Sequence, residues 1–388
     1  MKKTINTRTK YKIVGSDYSG QELRLAAFLS QDKTLLDAYA HNQDAYAIIA
    51  SQVFNVPYED CLEFYPEGTE LEIDGKKVIA GNKTHLNVDG KARRSVGKTM
   101  VLAGNYGMSG AGAGSLMGKT AKEGTELLDK YFKMFSGLKK AIDDSKENLK
   151  KNGYVEDIAG RRRRLPDIYL KPYEATYKDP NKLEKETFNP FISCKDRPVN
   201  DKVLNSYVSR AQACRNNKDY EALSKEALAN GVILQAYTGR IAQAERQCFN
   251  ARIQGSAGTL TKKAMIDIFN DEKLKEWDAH LIVTVHDEVL VECKEEYAEQ
   301  VADRLPKLMI AAAEELGIHE PKMKCDPYLV SRWYSEVWAA SLKSSLQKKL
   351  NAGIQKETAI SDIIKEHSEF PKEAIITVLT TNVEELVF

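Results

Sequence analysis

A chain of 388 residues is long enough for two or more domains, each with its own core. Its 57 Lys and Arg balance 56 Asp and Glu, so the net charge of +1 excludes a uniformly basic coat and leaves any nucleic-acid recognition to local clusters such as "KARR" at 91–94 and "RRRR" at 161–164. No apolar run of about 18 residues occurs, the N-terminus lacks an apolar core and the six cysteines form no CxxC pair, which excludes a membrane span, a secretory signal and a zinc knuckle and leaves a reduced, cytoplasmic protein as the expectation.

The first element in chain order is "KIVGS", a short buried strand that ends at Asp17. Glu22 then opens "ELRLAAFLSQD", where Leu23, Ala26, Ala27 and Ser30 follow helical spacing. Two readings of the acidic pair stand at this point. Asp17 caps the helix while Glu22 favours its positive end, or both carboxylates meet something brought from elsewhere in the chain. Residues 42–54 read as a second helix, ending before Pro57. In the less regular stretch at 58–90, "TELEIDGKKVIAG" is predicted to be a hairpin turning on Asp74-Gly75. A helix follows from Gly90 to Tyr106, with Asp89 as its N-cap and Gly107 as its stop. Another helical span covers 120–151 and leads into "GYVEDIAGRRRRLPDI", a strand-turn-strand pattern. Residues 171–240 are polar with small helical stretches and read as an insertion; a helix covers 233–270 and another 295–316. The charged tail, 339–388, reads as a small helical unit.

"HLIVTVHDEVLVEC" carries the strongest local signal. Two β-branched runs flank His286-Asp287-Glu288, so a hairpin presents two carboxylates and an imidazole at its tip. A turn without function more readily uses Asn-Gly or Asp-Gly; the alternative is a charged solvent turn. With Asp17 at the end of another strand, the pieces of a divalent-metal site exist, because magnesium prefers carboxylate oxygens together with substrate phosphates.

Arg94, Lys98, Leu102 and Tyr106 recur every four residues, and at ~100° per residue each step drifts only about 40°, so they share one helix face. Two cations there suit a triphosphate, and the apolar and aromatic residues beyond suit a base or sugar; a solvated amphipathic face is the competing reading. "GKT" does not make a phosphate-binding P-loop, since Ala92 stands where that motif needs Gly. A third face holds Arg246, Asn250 and Gln254, donors and acceptors suited to a minor groove or to a plain polar surface.

Taken together these blocks resemble the polymerase region of family A DNA polymerases, the bacterial polymerase I type. "DYSGQELR" looks like motif A, "RRSVGKTMVLAGNYGMS" like motif B and "VHDE" like motif C; "GRRRRLPDI" and "ERQCFNARIQGSAGTLTKKAM" fall between B and C in the family's order. The resemblance implies an α+β fold: a palm of mixed or antiparallel sheet with helices, interrupted by a mainly helical fingers domain. It divides the chain into 1–40 (palm, first part), 41–240 (fingers, with insertions at 59–90 and 171–240), 241–338 (palm, second part) and 339–388 (helical extension). It implies DNA synthesis from deoxynucleoside triphosphates on primer-template DNA. Asp17, Asp287 and the Tyr18 carbonyl would hold two Mg2+ ions, with Glu288 auxiliary. Arg94 and Lys98 would bind the triphosphate, Lys98 also protonating the leaving group. Leu102 and Tyr106 would line the base pocket, and Glu22 would block a ribose 2′-hydroxyl. His286 would lie near the primer end or the phosphates, and Arg246, Asn250 and Gln254 would contact the duplex.

Departures from the family pattern shape further expectations. Gly20 and Gln21 replace the usual Gln and Ile, and Leu102 stands where Phe or Tyr is common, as in some phage enzymes. Motif A begins at residue 17, so a second polypeptide is expected to supply the thumb and upstream palm, docking on an unpaired strand edge at Lys12 to Ser16. Rival readings are a single-subunit RNA polymerase, which Glu22 argues against, and a DNA-binding replication subunit without activity of its own.

Overall fold

The structure, a computed structural model, describes residues 4–73, 76–82, 84–179, 201–334, 336–368 and 370–380. Strands β1 (Thr4–Asn6) and β2 (Tyr11–Tyr18) come first, then helices α1 (Gln21–Ser30), α2 (Lys33–Ala40) and α3 (Ala45–Phe54). The hairpin β3 (Glu70–Ile73) and β4 (Lys76–Ile79) pairs as expected, its Asp74-Gly75 turn lying outside the described residues. Helices α4 (Val88–Asn105), α5 (Gly110–Leu116), α6 (Ala121–Met134) and α7 (Ser136–Asn152) follow. Next are β5 (Tyr154–Glu156), β6 (Arg162–Arg164), β7 (Tyr173–Tyr177), α8 (Lys202–Ala213), α9 (Asn217–Ala229) and β8 (Val232–Ala236). The last third holds α10 (Thr238–Asn270), α11 (Glu272–Glu276), β9 (His280–Val285), β10 (Glu288–Lys294), α12 (Ala298–Glu315), β11 (Cys325–Val330) and β12 (Arg332–Tyr334). Helices α13 (Glu336–Asn351), α14 (Lys356–Glu366) and α15 (Lys372–Thr380) close the described chain.

Two compact units result: residues 1–28 with 256–388, and residues 29–255. The first is built on a four-stranded antiparallel sheet in the order β11-β2-β10-β9. Both edges of β2 are therefore paired, Lys12 to Ser16 with β10 and Ile13 to Ser16 with β11. The expected unpaired edge at Lys12–Ser16 is thus overturned. Ile13 and Val14 are fully buried because a central strand packs on both faces. Tyr18 drives its ring under the sheet, where its hydroxyl donates to the Met309 carbonyl of α12 at 2.7 Å. Arg24 of α1 is itself buried and ties the turn after β2 to the run before β11, donating to the Ser19 carbonyl at 2.9 Å and the Lys322 carbonyl at 2.7 Å.

In the second unit, Asp32 starts two helices. One oxygen accepts from Leu35 N in α2 at 3.1 Å and the other from Leu138 N in α7 at 3.0 Å, so one buried carboxylate satisfies orphan N–H groups far apart in sequence. The single helix expected over 120–151 is in fact two. The chain breaks at Phe135, whose backbone leaves helical geometry (φ −109°, ψ 63°) while its ring is buried. Helix α4 is capped by Asn87, whose side-chain oxygen accepts from Gly90 N at 2.9 Å; Asp89, expected as the cap, lies in the first turn. Gly107 stops it with φ +64°, as expected of a residue free to turn left-handed.

The stretch around β7, α8, α9 and β8 has its own small core. Strands β7 and β8 pair, and Tyr177, Leu204, Tyr207 and Val232 are buried between them and α8 and α9. Residues 233–236 are strand, where the sequence suggests helix: cross-strand partners decide, and they lie some sixty residues upstream. The tail likewise has a separate core, in which Trp338, Leu342, Ile363 and Ile375 join α13, α14 and α15.

Candidate functional site

The first unit gathers carboxylates at one end of its sheet. In register, Asp17 lies directly opposite Glu288 of β10 and Asp326 of β11, so the three side chains share one sheet face. Asp287 follows at the hairpin tip, its carbonyl accepting from Tyr18 N at 3.4 Å. The hairpin stands as the sequence predicts, except that Glu288 belongs to β10 and is buried rather than at the tip. His286 is exposed at the tip with φ +57°, a left-handed conformation normally given to Gly in two-residue turns.

Asp17 is inside β2, four residues before the first residue of α1, so it does not cap that helix. Its carboxyl titrates above the usual range, first because it is desolvated, then because Asp287 and Asp326 repel the charge. Glu288 is also pushed up by burial, against the opposing effect of the Tyr328 hydroxyl, which donates to it. Tyr328 reaches Glu288 across β2 because its register partner is Gly15: a Cβ there would stand 2.1 Å from the ring. Asp326, which accepts from the Ser19 hydroxyl, is the residue sequence reasoning missed; no local motif marks it, only the β2–β11 register.

Among the described residues no group of three or more His, Cys, Asp or Glu forms a ready-made metal cage. The donor set nonetheless fits magnesium, a hard cation usually held by one or two carboxylates plus water and substrate phosphate. Crowded like charge is what a divalent ion relieves. The side chain of Tyr18 is committed to Met309, so only its carbonyl is a candidate ligand. Glu22 sits half-buried in the first turn of α1.

In the second unit, Arg94 and Lys98 stand one turn apart on α4, Lys98 exposed and Arg94 paired through Nε with Asp44 at 2.5 Å. The side chain of Leu102 lies outside what the structure describes. Tyr106, at the end of α4, accepts from Gln254 Nε2 of α10 at 3.2 Å. Gly107 packs so closely on Arg246 that a Cβ would lie 2.9 Å from its side chain. The structure thus brings the end of the α4 face together with the Arg246, Asn250 and Gln254 face.

A cleft of about 530 Å³ opens beside them, lined by Asn250 and Gln254 and by Arg161, Arg162 and Arg163. The arginines are presented by the β5–β6 turn and the start of β6, and Asp157 fixes that turn by accepting from Ala159 N and Arg161 N, both at 2.9 Å. The buried Asn250 Oδ1 has no hydrogen-bond partner among the described residues. The "RRRR" run marked these residues in the sequence as a charge cluster; their meeting with α10 is tertiary.

An antiparallel sheet bearing carboxylates on paired strands in one unit, and a mainly helical second unit carrying cations, define an α+β class of fold. The solved POL domain of Pol1 from M. smegmatis, in complex with DNA primer-template and dNTP, matches 84% of this chain and 41% of its own, at a TM-score of 0.54 and 20% identity. The family model for DNA polymerase family A matches residues 1–63, 78–192 and 201–334, and the chain belongs to that family. It is 27% identical over 303 residues to DNA polymerase I of Pseudomonas aeruginosa, covering 78% of this chain and 23% of the relative. To the thermostable DNA polymerase I of Thermus aquaticus it is 26% identical over 306 residues, covering 79% and 25%. The match therefore spans about a quarter of each relative's length. Among the described residues no helix is long and apolar enough to cross a membrane.

Proposed function

We propose that the chain catalyses template-directed DNA synthesis, joining a deoxynucleoside triphosphate to a primer 3′-hydroxyl. The observation that carries this is the register that sets Asp17, Glu288 and Asp326 on one sheet face beside Asp287, in a chain of family A.

In this reading the primer hydroxyl attacks the α-phosphorus, the bond to the β-phosphate breaks and pyrophosphate leaves. Asp17 and Asp287, with the Tyr18 carbonyl, would hold two Mg2+ ions, which when bound would stabilise the attacking and leaving oxygens. Glu288, opposite Asp17 and held by Tyr328, is an auxiliary carboxylate. Arg94 and Lys98 bind the triphosphate, and Lys98 delivers a proton to the departing pyrophosphate. Leu102 and Tyr106 line the base pocket, and His286 contacts the primer end. Glu22 occupies the space a 2′-hydroxyl needs. Primer-template duplex lies along Arg246, Asn250 and Gln254, and the arginines of the β5–β6 turn add phosphate contacts.

The test is primer extension by the full chain with deoxy- or ribonucleotides, with and without Mg2+. Magnesium-dependent extension that prefers deoxynucleotides, with a preference that narrows in Glu22→Ala, is expected. Preference for ribonucleotides in the unaltered chain identifies an RNA polymerase. Duplex binding with no extension identifies a binding subunit.

A further inference from the structure

Arg94 does not project freely from α4. Its Nε donates to Asp44 Oδ2 at 2.5 Å, and the guanidinium lies over the Tyr46 ring at 5.1 Å. Asp44 is itself fixed on every side. Its other oxygen caps α3, accepting from Tyr46 N at 2.9 Å and Ala47 N at 3.2 Å, and its backbone N donates to the Tyr58 hydroxyl at 2.9 Å. Helices α3 and α4 pack closely beside this pair. Gly97, one turn beyond Arg94, touches the Tyr46 carbonyl so closely that a Cβ would stand 2.1 Å from it.

We propose that Asp44 is the positioning residue for Arg94 in nucleotide binding; this rests on the reading of Arg94 as a triphosphate ligand. An arginine has five N–H donors in a rigid fork. With Nε engaged by a carboxylate that also caps α3, the guanidinium plane is constrained and its terminal nitrogens are not the ones committed to Asp44. Glu63 lies 3.9 Å from Nη1 and is itself paired with Lys91 at 3.2 Å. A bidentate grip on phosphate oxygens needs that fixed fork, and a freely rotating side chain loses rotamer entropy each time it forms one. Asp44 thus links the α3 cap, a purely local feature of the backbone, to the geometry of a substrate-binding cation.

The substitution that isolates this role is Asp44→Asn. Asn caps helices as well as Asp, so its oxygen stays with the α3 N–H groups while its NH2 faces Arg94 and cannot accept from it. Single-nucleotide insertion is measured for the full chain, Asp44→Asn, Arg94→Ala and the double variant, with a thermal melt for each. Asp44→Asn is expected to raise KM for the deoxynucleotide about tenfold, with kcat falling less and melting little changed, and to add nothing in the Arg94→Ala background. An unchanged or lower KM in Asp44→Asn, while Arg94→Ala raises it, overturns the positioning role. An equal further rise in the double variant overturns it too, because Asp44 then acts independently. An unchanged KM in Arg94→Ala instead removes the reading of Arg94 itself.

Discussion

Replacing Asp17 with Asn should make the protein more stable and catalytically dead. Asp17 lies directly opposite Glu288 on one neighbouring strand and Asp326 on the other, with Asp287 at the adjoining turn. Like charges set directly opposite across a strand pair are destabilising, and on the ~0.2–1 kcal/mol scale of cross-strand pairs two of them come to about 1 kcal/mol. The raised titration of Asp17 has the matching sign: desolvation and its acidic neighbours disfavour the ionised form in the folded state. Asn keeps the shape and removes the charge. For a chain of this size 1 kcal/mol is a shift of roughly 2 °C in melting temperature. Thermal melts of the two proteins in a chelator read this directly, and primer extension is measured on the same samples. Added Mg2+ should raise the melting temperature of the unaltered protein and close the gap, since a cation that binds only the folded carboxylates stabilises it by mass action. A variant that melts below the unaltered protein in chelator would refute the argument, because the cluster would then be a net source of stability.

Two further changes test the structure around the site. Gly15→Ala puts a methyl group 2.1 Å from the Tyr328 ring and should cost about 1–3 kcal/mol in urea denaturation, whereas the same change in a Tyr328→Ala background should be nearly silent. Asp271 accepts from Arg304 Nε at 2.8 Å and Nη2 at 2.5 Å and caps α11, and its carboxyl is held below the usual range chiefly by that arginine. A depressed folded pKa contributes stability that is complete above the unfolded value near 3.8 and is lost as pH falls through the lower folded value. Asp271→Asn should therefore be less stable by about 1–2 kcal/mol near neutrality, with the difference shrinking below pH 4; a gap that widens on acidification contradicts the pairing.

The local elements that carry the candidate site were largely legible in the chain, while their assembly was not. The strand-turn-strand around His286-Asp287-Glu288 and the four-residue steps on α4 and α10 are local patterns, and local periodicity reports them well. Asp326 carries no local signal, because it matters only through pairing with Asp17. The same holds for β2. A strand read alone at the start of a chain looks like an edge, yet β11, some three hundred residues away, covers it. Gly15 was read simply as part of a buried strand, although its missing side chain is what admits Tyr328. The break at Phe135 is a tertiary override, in which burying the ring is worth more than continuing the helix.

The most direct test of the central claim is single-turnover nucleotide insertion by Asp287→Ala, with primer-template affinity measured in parallel at the same salt. If Asp287 serves the transferring phosphate, losing it should raise the barrier by several kcal/mol, about a thousandfold or more in rate, while duplex affinity stays within a factor of about two. Near-normal insertion would contradict the account, and so would a loss of rate matched by an equal loss of duplex binding.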